Sequence, residues 1–285
     1  MSSNDRESVY GRLDNPFLRD RSIKRIWKMK RFFCLFFGVC LLALGCATPP
    51  RDTVFQASTI DALLAGVYDG DMSCRSLLKH GDFGIGTFDR LDGEMVLLDG
   101  RIYQVKADGK VYEPDLSLKT PFATVCQFDA DRTIPVKPGS DYEIIEKLIN
   151  KYFPNQNLFY AIRVTGHFMS IKTRSVSGQQ KPYPPLREVV RNQPEFVMKN
   201  ISGTIVGFRC PAYVKGINVP GYHLHFISSD RTQGGHILSF KIEDGKCEVD
   251  VLTQYTLVLP ENTLEFSETD LSKDRSEELK DVEKR

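Results

Sequence analysis

Residues 221–240 read GYHLHFISSDRTQGGHILSF and hold three of the five histidines in a chain of 285 residues. His223 and His225 are two apart. Side chains alternate faces along a strand, so on a strand both imidazoles point the same way. The polar segment SSDRTQGG is a turn that returns the chain, and His236 then opens the next apolar run, HILSF. A neighbouring strand can place a side chain on the same face within a few ångströms. Three imidazoles converging on one point, with a position left open, is the usual arrangement of a catalytic zinc. Imidazole also suits Fe, Ni, Cu and Co, so the expected cofactor is Zn2+ or another divalent transition metal. An H-x-H pair alone is ordinary; the third histidine, on a neighbouring strand, makes it a candidate metal site. His80 and His167 have no such companions and read as surface or structural residues.

The elements that must position these groups are mostly strands. STIDALLAGVYDG carries Ile60, Leu63, Leu64 and Val67 at helical spacing, with Ser58 or Thr59 available as the cap. HGDFGIGTFDRLDGEMVLLDGRIYQVKADGKV alternates in polarity and is broken at Asp-Gly pairs 92–93, 99–100 and 108–109. Asp-Gly tolerates the positive φ of tight hairpins, so this is a strand meander. TPFATVCQF adds a strand. SDYEIIEKLINKYF is a second helix, with Ser140 and Glu143 as a capping box and Ile145, Leu148, Ile149 and Tyr152 as its apolar stripe. Strands follow at NLFYAIRVTGHFMSIKTRSV, SGTIVGFRCP, YHLHFISS, GHILSFKIED and KCEVDVLTQYTLVLP, with a Pro-rich turn and the short helix PPLREVVRNQP between the first two. The class is α+β: two similar halves, each a helix plus mostly antiparallel or mixed sheet. A faint match between GDFGIGTFDRLDGEMVLLDG and SGTIVGFRCPAYVKGINVPGYHLHF suggests an internal duplication. The expected organisation is a leader at 1–45, a linker at 46–54, a first half at 55–138, a second half with the metal site at 139–265, and a charged helical tail at 266–285.

The leader rests on a basic flank before a 14-residue apolar run, Phe32 to Gly45. That run is short for a membrane span and suits a signal-peptide core. It ends at Ala43-Leu44-Gly45-Cys46, which resembles a bacterial lipobox except that Ala43 stands where Leu is usual. A secretory signal without lipidation is the other reading. Residues 1–28 fit no signal peptide, so either Met29 is the true start or they form a cytoplasmic extension on an uncleaved anchor. Export, with a periplasmic or lipid-anchored product, is the expectation, and secretion follows if Cys46 is not lipidated. Beyond residue 45 there remain 29 basic and 33 acidic residues, from 38 − 9 and 37 − 4. A net charge of about −4 argues against nucleic acid as a partner. Cys74, Cys126, Cys210 and Cys247 form no C-x-x-C pair and read as buried thiols or as one or two disulfides.

STIDALLAGVYDG, then GDFGIGTFDRLDGEMVLLDGRIYQ, then GYHLHFISSDRTQGGH together resemble the alpha-acetolactate decarboxylase family, from about Phe55 to the C-terminus. The resemblance implies a two-part α+β fold, a zinc held by His223, His225 and His236, and conversion of 2-acetolactate to acetoin and CO2. It also implies catalytic roles for Glu94 and Arg174, and for a tail glutamate, Glu283, with Glu277 and Glu278 as neighbours to weigh against it. The implied partner is a small 2-hydroxy-3-keto acid, with homodimerisation left open. Without the resemblance, Glu94 is an exposed turn glutamate, Arg174 part of a solvated strand face, and Glu283 a charge on a frayed terminal helix. HLHF…GGH also resembles a small domain of related fold found in DNA-associated and uncharacterised prokaryotic proteins. The alternative function is therefore an exported metal-binding module without decarboxylase activity.

Overall fold

A computed structural model describes residues 51–261 and 263–283. The leader at 1–45, the candidate start Met29 and Cys46 lie outside the described residues. Along the chain run β1 (Thr53–Ala57), β2 (Met72–Ser73), β3 (Phe83–Thr87), β4 (Glu94–Leu98), β5 (Arg101–Val105), β6 (Val111–Tyr112), β7 (Lys119–Thr120) and β8 (Ala123–Cys126). They are followed by β9 (Arg132–Val136), β10 (Phe159–Arg174), β11 (Glu195–Cys210), β12 (Gly221–Ser228), β13 (Gly234–Leu252) and β14 (Gln254–Val258). The fold is α+β and dominated by sheets, as the pattern of the sequence implies.

The Asp-Gly meander forms as expected. Asp99 and Gly100 take φ of 51° and 73° between β4 and β5, and Gly93 and Gly109 also lie at positive φ. These hairpins belong to a seven-stranded sheet of order β14-β1-β8-β3-β4-β5-β6, in which β1 and β14 run parallel. The second sheet runs β10-β11-β12-β13-β9, and β10 also pairs with β13, so four long strands close on themselves. A glycine sits where this closure brings backbones together. At Gly166 an added Cβ would lie 2.1 Å from the Asp244 carbonyl oxygen.

Period-two alternation decides what each sheet face touches. In the closed sheet Tyr160, Ile162, Leu224 and Phe226 point inward, onto Ile145 and Ile149 of the helix Tyr142–Tyr152. The intervening Phe159, Ala161 and Ile227 point outward and pack on Val96, Leu98 and Tyr103 of the seven-stranded sheet. The odd-numbered face of β12 and the even-numbered face of β4 therefore meet between the sheets. His223, His225 and Glu94 lie on those faces.

Three expectations are corrected. The cap of the helix Tyr142–Tyr152 is Asp141, which accepts from the Ile144 N–H at 3.0 Å, while the Ser140 hydroxyl donates to the Lys137 carbonyl. Its stripe is also narrower, because Tyr152 is exposed under Arg132. The two strands expected at 235–244 and 246–260 are instead β13, which runs unbroken through Gly245, and β14, which crosses to the other sheet. Internal duplication is not shown: among the described residues the two sheets differ in strand number and order, with β9 joining the second and β14 the first. All four cysteines among the described residues are buried free thiols. Among those residues no helix is long and apolar enough to cross a membrane.

Candidate metal centre

The strand register assembles the histidines as the spacing implies. His223 and His225 share one face of β12, and His225 stands directly opposite His236 on β13. Ring centroids are 5.1 Å apart for His223–His225 and His223–His236, and 5.4 Å for His225–His236. One ligand nitrogen from each ring lies within 4.8 Å of the other two. Gly235 lets β13 approach closely here: its φ is +131°, and a Cβ would meet the Arg174 carbonyl oxygen at 2.5 Å.

His225 shows why the group fits a cation. It is 1% exposed, and its Nδ1–H donates to the Met95 carbonyl at 2.9 Å. That bond sets the tautomer and leaves the Nε2 lone pair facing the other rings. Nε2 is buried and has no hydrogen-bond partner. Burial, then the charge of His223, holds this imidazole well below its usual pKa, opposed by the Met95 hydrogen bond. A neutral ring is the form that binds metals. The three-histidine group can hold a metal ion, and its nitrogen donors suit a transition metal.

The other expected residues arrive from three elements. Glu94 opens β4, and its Oε2 lies 3.5 Å from His225 Nε2. Arg174 ends β10 opposite His236, is 5% exposed, and donates to the Val282 carbonyl. Glu283 follows the helix Ser276–Val282, with its Oε2 3.6 Å from His236 Nε2. Glu277 and Glu278 instead pair with Lys280 and Arg275. Glu94, Arg174 and Glu283 thus all turn inward, unlike the exposed groups a reading without the resemblance implies. Burial pushes the Glu94 carboxyl up to about 8; Arg174 pulls it down and Glu283 pushes it further up. His80 stacks on Phe55, and His167 lies against Ser202.

A cavity of ≈ 50 Å³ lies among these groups, with an apolar wall that includes Leu63, Phe122, Leu186 and Val282. The sequence reading missed Thr87 and Gln193, which also line it. Thr87 could have been found by pairing the Asp-Gly hairpin, since it stands opposite Glu94. Gln193 follows a short helical turn and carries no pattern of its own.

Comparison with known proteins gives the family. The family model for Alpha-acetolactate decarboxylase matches residues 54–273. The alpha-acetolactate decarboxylase of Methanosarcina mazei is 47% identical over 233 residues, covering 82% of this chain and 81% of that one. The protein of the same name from Bacillus subtilis strain 168 is 42% identical over 246 residues, covering 86% and 95%. An X-ray structure of alpha-acetolactate decarboxylase from that strain aligns with a TM-score of 0.79 at 41% identity, covering 82% of this chain and all of that one. Agreement over so much of the chain, in sequence and in fold, makes this protein a member of the alpha-acetolactate decarboxylase family, a decarboxylase of the carbon–carbon lyase class.

Proposed function

We propose that the protein converts 2-acetolactate to acetoin and CO2 at the three-histidine centre, with a bound Zn2+ or similar divalent metal. The observation that carries this reading is the convergence of His223, His225 and His236 with two carboxylates and one arginine in a single buried cavity. Acetolactate bears a carboxylate, a tertiary hydroxyl and a ketone. Breaking the bond to CO2 leaves an electron pair that the ketone must accept. The metal, when bound, supplies a Lewis acid that polarises the ketone and hydroxyl oxygens and stabilises the charge developing there.

The chain's own residues do the rest. Arg174 holds the substrate carboxylate, because its planar fork of N–H donors matches the two carboxylate oxygens. Glu94 and Glu283 share the two proton transfers, one at the hydroxyl oxygen and one at the carbon that loses CO2. A carboxyl whose proton affinity is raised by burial, like Glu94, suits such exchange near neutral pH. The cavity wall keeps water from the reacting carbon.

The wider organisation is also our reading. Residues 1–45 act as an export leader, Cys46 as a lipid-attachment site or the start of a secreted chain, and 46–54 as a linker. Two working halves follow at 55–138 and 139–265, with the tail at 266–285 covering the site. Homodimerisation belongs to the same proposal. The test uses the chain from Cys46 onward with Cys46→Ser, given racemic 2-acetolactate. Chelator-sensitive acetoin formation is expected. Acetoin appearing no faster than without enzyme would leave the metal-binding module as the better reading.

A further inference from the structure

Gln193 lies on the wall shared by the inner cavity and a larger surface bowl of ≈ 530 Å³, which also touches Ser177 and Glu188. Its backbone is fixed on both sides. Its N–H reaches the Val190 carbonyl at 3.4 Å, the Pro194 carbonyl accepts from the Ser175 N–H at 3.3 Å, and Glu195 stands opposite Arg174 across β10 and β11. Gln193 thus stands two positions before the residue paired with Arg174, and both residues line the inner cavity. Its carboxamide oxygen is buried and has no hydrogen-bond partner. A buried amide oxygen without a donor costs free energy, and in native proteins such a group calls for an explanation.

The chemistry of the proposed substrate narrows the explanation. Its carboxylate and ketone only accept hydrogen bonds. Its tertiary hydroxyl is the one group that can donate to an amide oxygen. We propose that Gln193 is a substrate-recognition residue whose Oε1 accepts a hydrogen bond from the substrate's 2-hydroxyl, so that the site selects 2-hydroxy-3-keto acids over 3-keto acids lacking that hydroxyl. This rests on the decarboxylase reading above. Gln193 would orient the hydroxyl as the substrate binds, before that proton passes to a carboxylate, while Arg174 orients the substrate carboxylate, fixing two substituents of the reacting carbon. A site built to pair a substrate hydroxyl rejects the analogue without one far more strongly than an apolar wall can.

The test compares wild type with Gln193→Met, which keeps the length and removes the acceptor. Two stable inhibitors differing only in the 2-hydroxyl are used: 2,3-dihydroxy-2-methylbutanoate and 3-hydroxy-2-methylbutanoate. Gln193→Met is expected to weaken the first about 10-fold, leave the second nearly unchanged, and lower kcat/KM on 2-acetolactate about 10- to 100-fold. Equal weakening of both inhibitors would make Gln193 a packing residue or a donor to the carboxylate, and no weakening of either would remove it from the site. Both outcomes overturn the proposal. Gln193→Asn, with the amide on a shorter arm, carries the same comparison if the Met variant does not fold. A wild type that forms no acetoin would instead sink the decarboxylase reading.

Discussion

The wall and the cover of this cavity are built differently. The histidine wall rests on β12 and β13, whose register places His225 opposite His236. Its inner face packs Phe168 and Phe226 edge-on, both fully buried. The cover is the helix Ser276–Val282, held by buried Leu279 and Val282, an Arg187–Asp281 ion pair, and the Arg174 bond to the Val282 carbonyl. Exposed ion pairs contribute little, roughly 0–1 kcal/mol each. The metal ligands therefore stand on long strands of the closed sheet, while one carboxylate follows a short terminal helix. Glu283 and Val282 line the cavity from this helix, beside the histidines that line it from the strands.

Substitutions can break or sharpen this contrast. The largest effect is expected at the wall's chemical face: His225→Ala should lose bound metal and fall to background acetoin formation, checked by elemental analysis and a colorimetric acetoin assay. Glu94→Gln should keep metal and lose about 10²–10⁴-fold in kcat, because it removes an acid–base group and not a ligand. Deleting residues 276–285 removes Glu283 with its helix and should cut kcat/KM by at least about 10²-fold while leaving metal content close to wild type. A deletion that also lost metal would show the cover to be part of the frame.

Stability should divide the same way. Phe226→Ala is expected to cost about 3–5 kcal/mol and Leu279→Ala about 2 kcal/mol, read from denaturant midpoints. Equal costs would erase the distinction between wall and cover. The smallest effect concerns Asp250, on β13 away from the centre. It is 1% exposed, its Oδ2 accepts from the Asp129 N–H, and burial followed by the nearby charges of Asp131, Asp52 and Asp129 pushes its carboxyl up to about 7. The unfolded value is about 3.9. The folded state therefore holds a proton that the unfolded chain releases, and stability falls as pH rises through that window. Asp250→Asn should melt several degrees higher than wild type at pH 8 and nearly level with it at pH 4. Identical melting curves at both pH values would contradict this.

The parts legible in the sequence were those set by local physics. Asp-Gly pairs need positive φ, so the hairpins at 99–100 and 108–109 could be read directly. Period-two spacing put His223 and His225 on one face, and a short turn made His236 their neighbour. Glu94, Arg174 and Glu283 carried no local signal; a resemblance singled them out, and their convergence depends on two sheets packing face to face. Strand exchange was invisible for the same reason: nothing local tells β9 to join the closed sheet or β14 to pair with β1. Gly245 looked like a break, but it faces Gly166 across β10, and two glycines let the backbones pass without ending the strand. Asp141 displaced Ser140 as a cap by one position, a difference that backbone geometry decides.

The central claim is that decarboxylation needs a metal at the three histidines. The most direct measurement strips the protein of metal and titrates Zn2+ back, recording bound metal per chain and acetoin formation on the same samples, beside His225→Ala. Activity rising in proportion to occupancy and reaching its plateau near one ion per chain, with neither signal in the variant, is the expected result. Full acetoin formation by the stripped protein, or by His225→Ala, would contradict it.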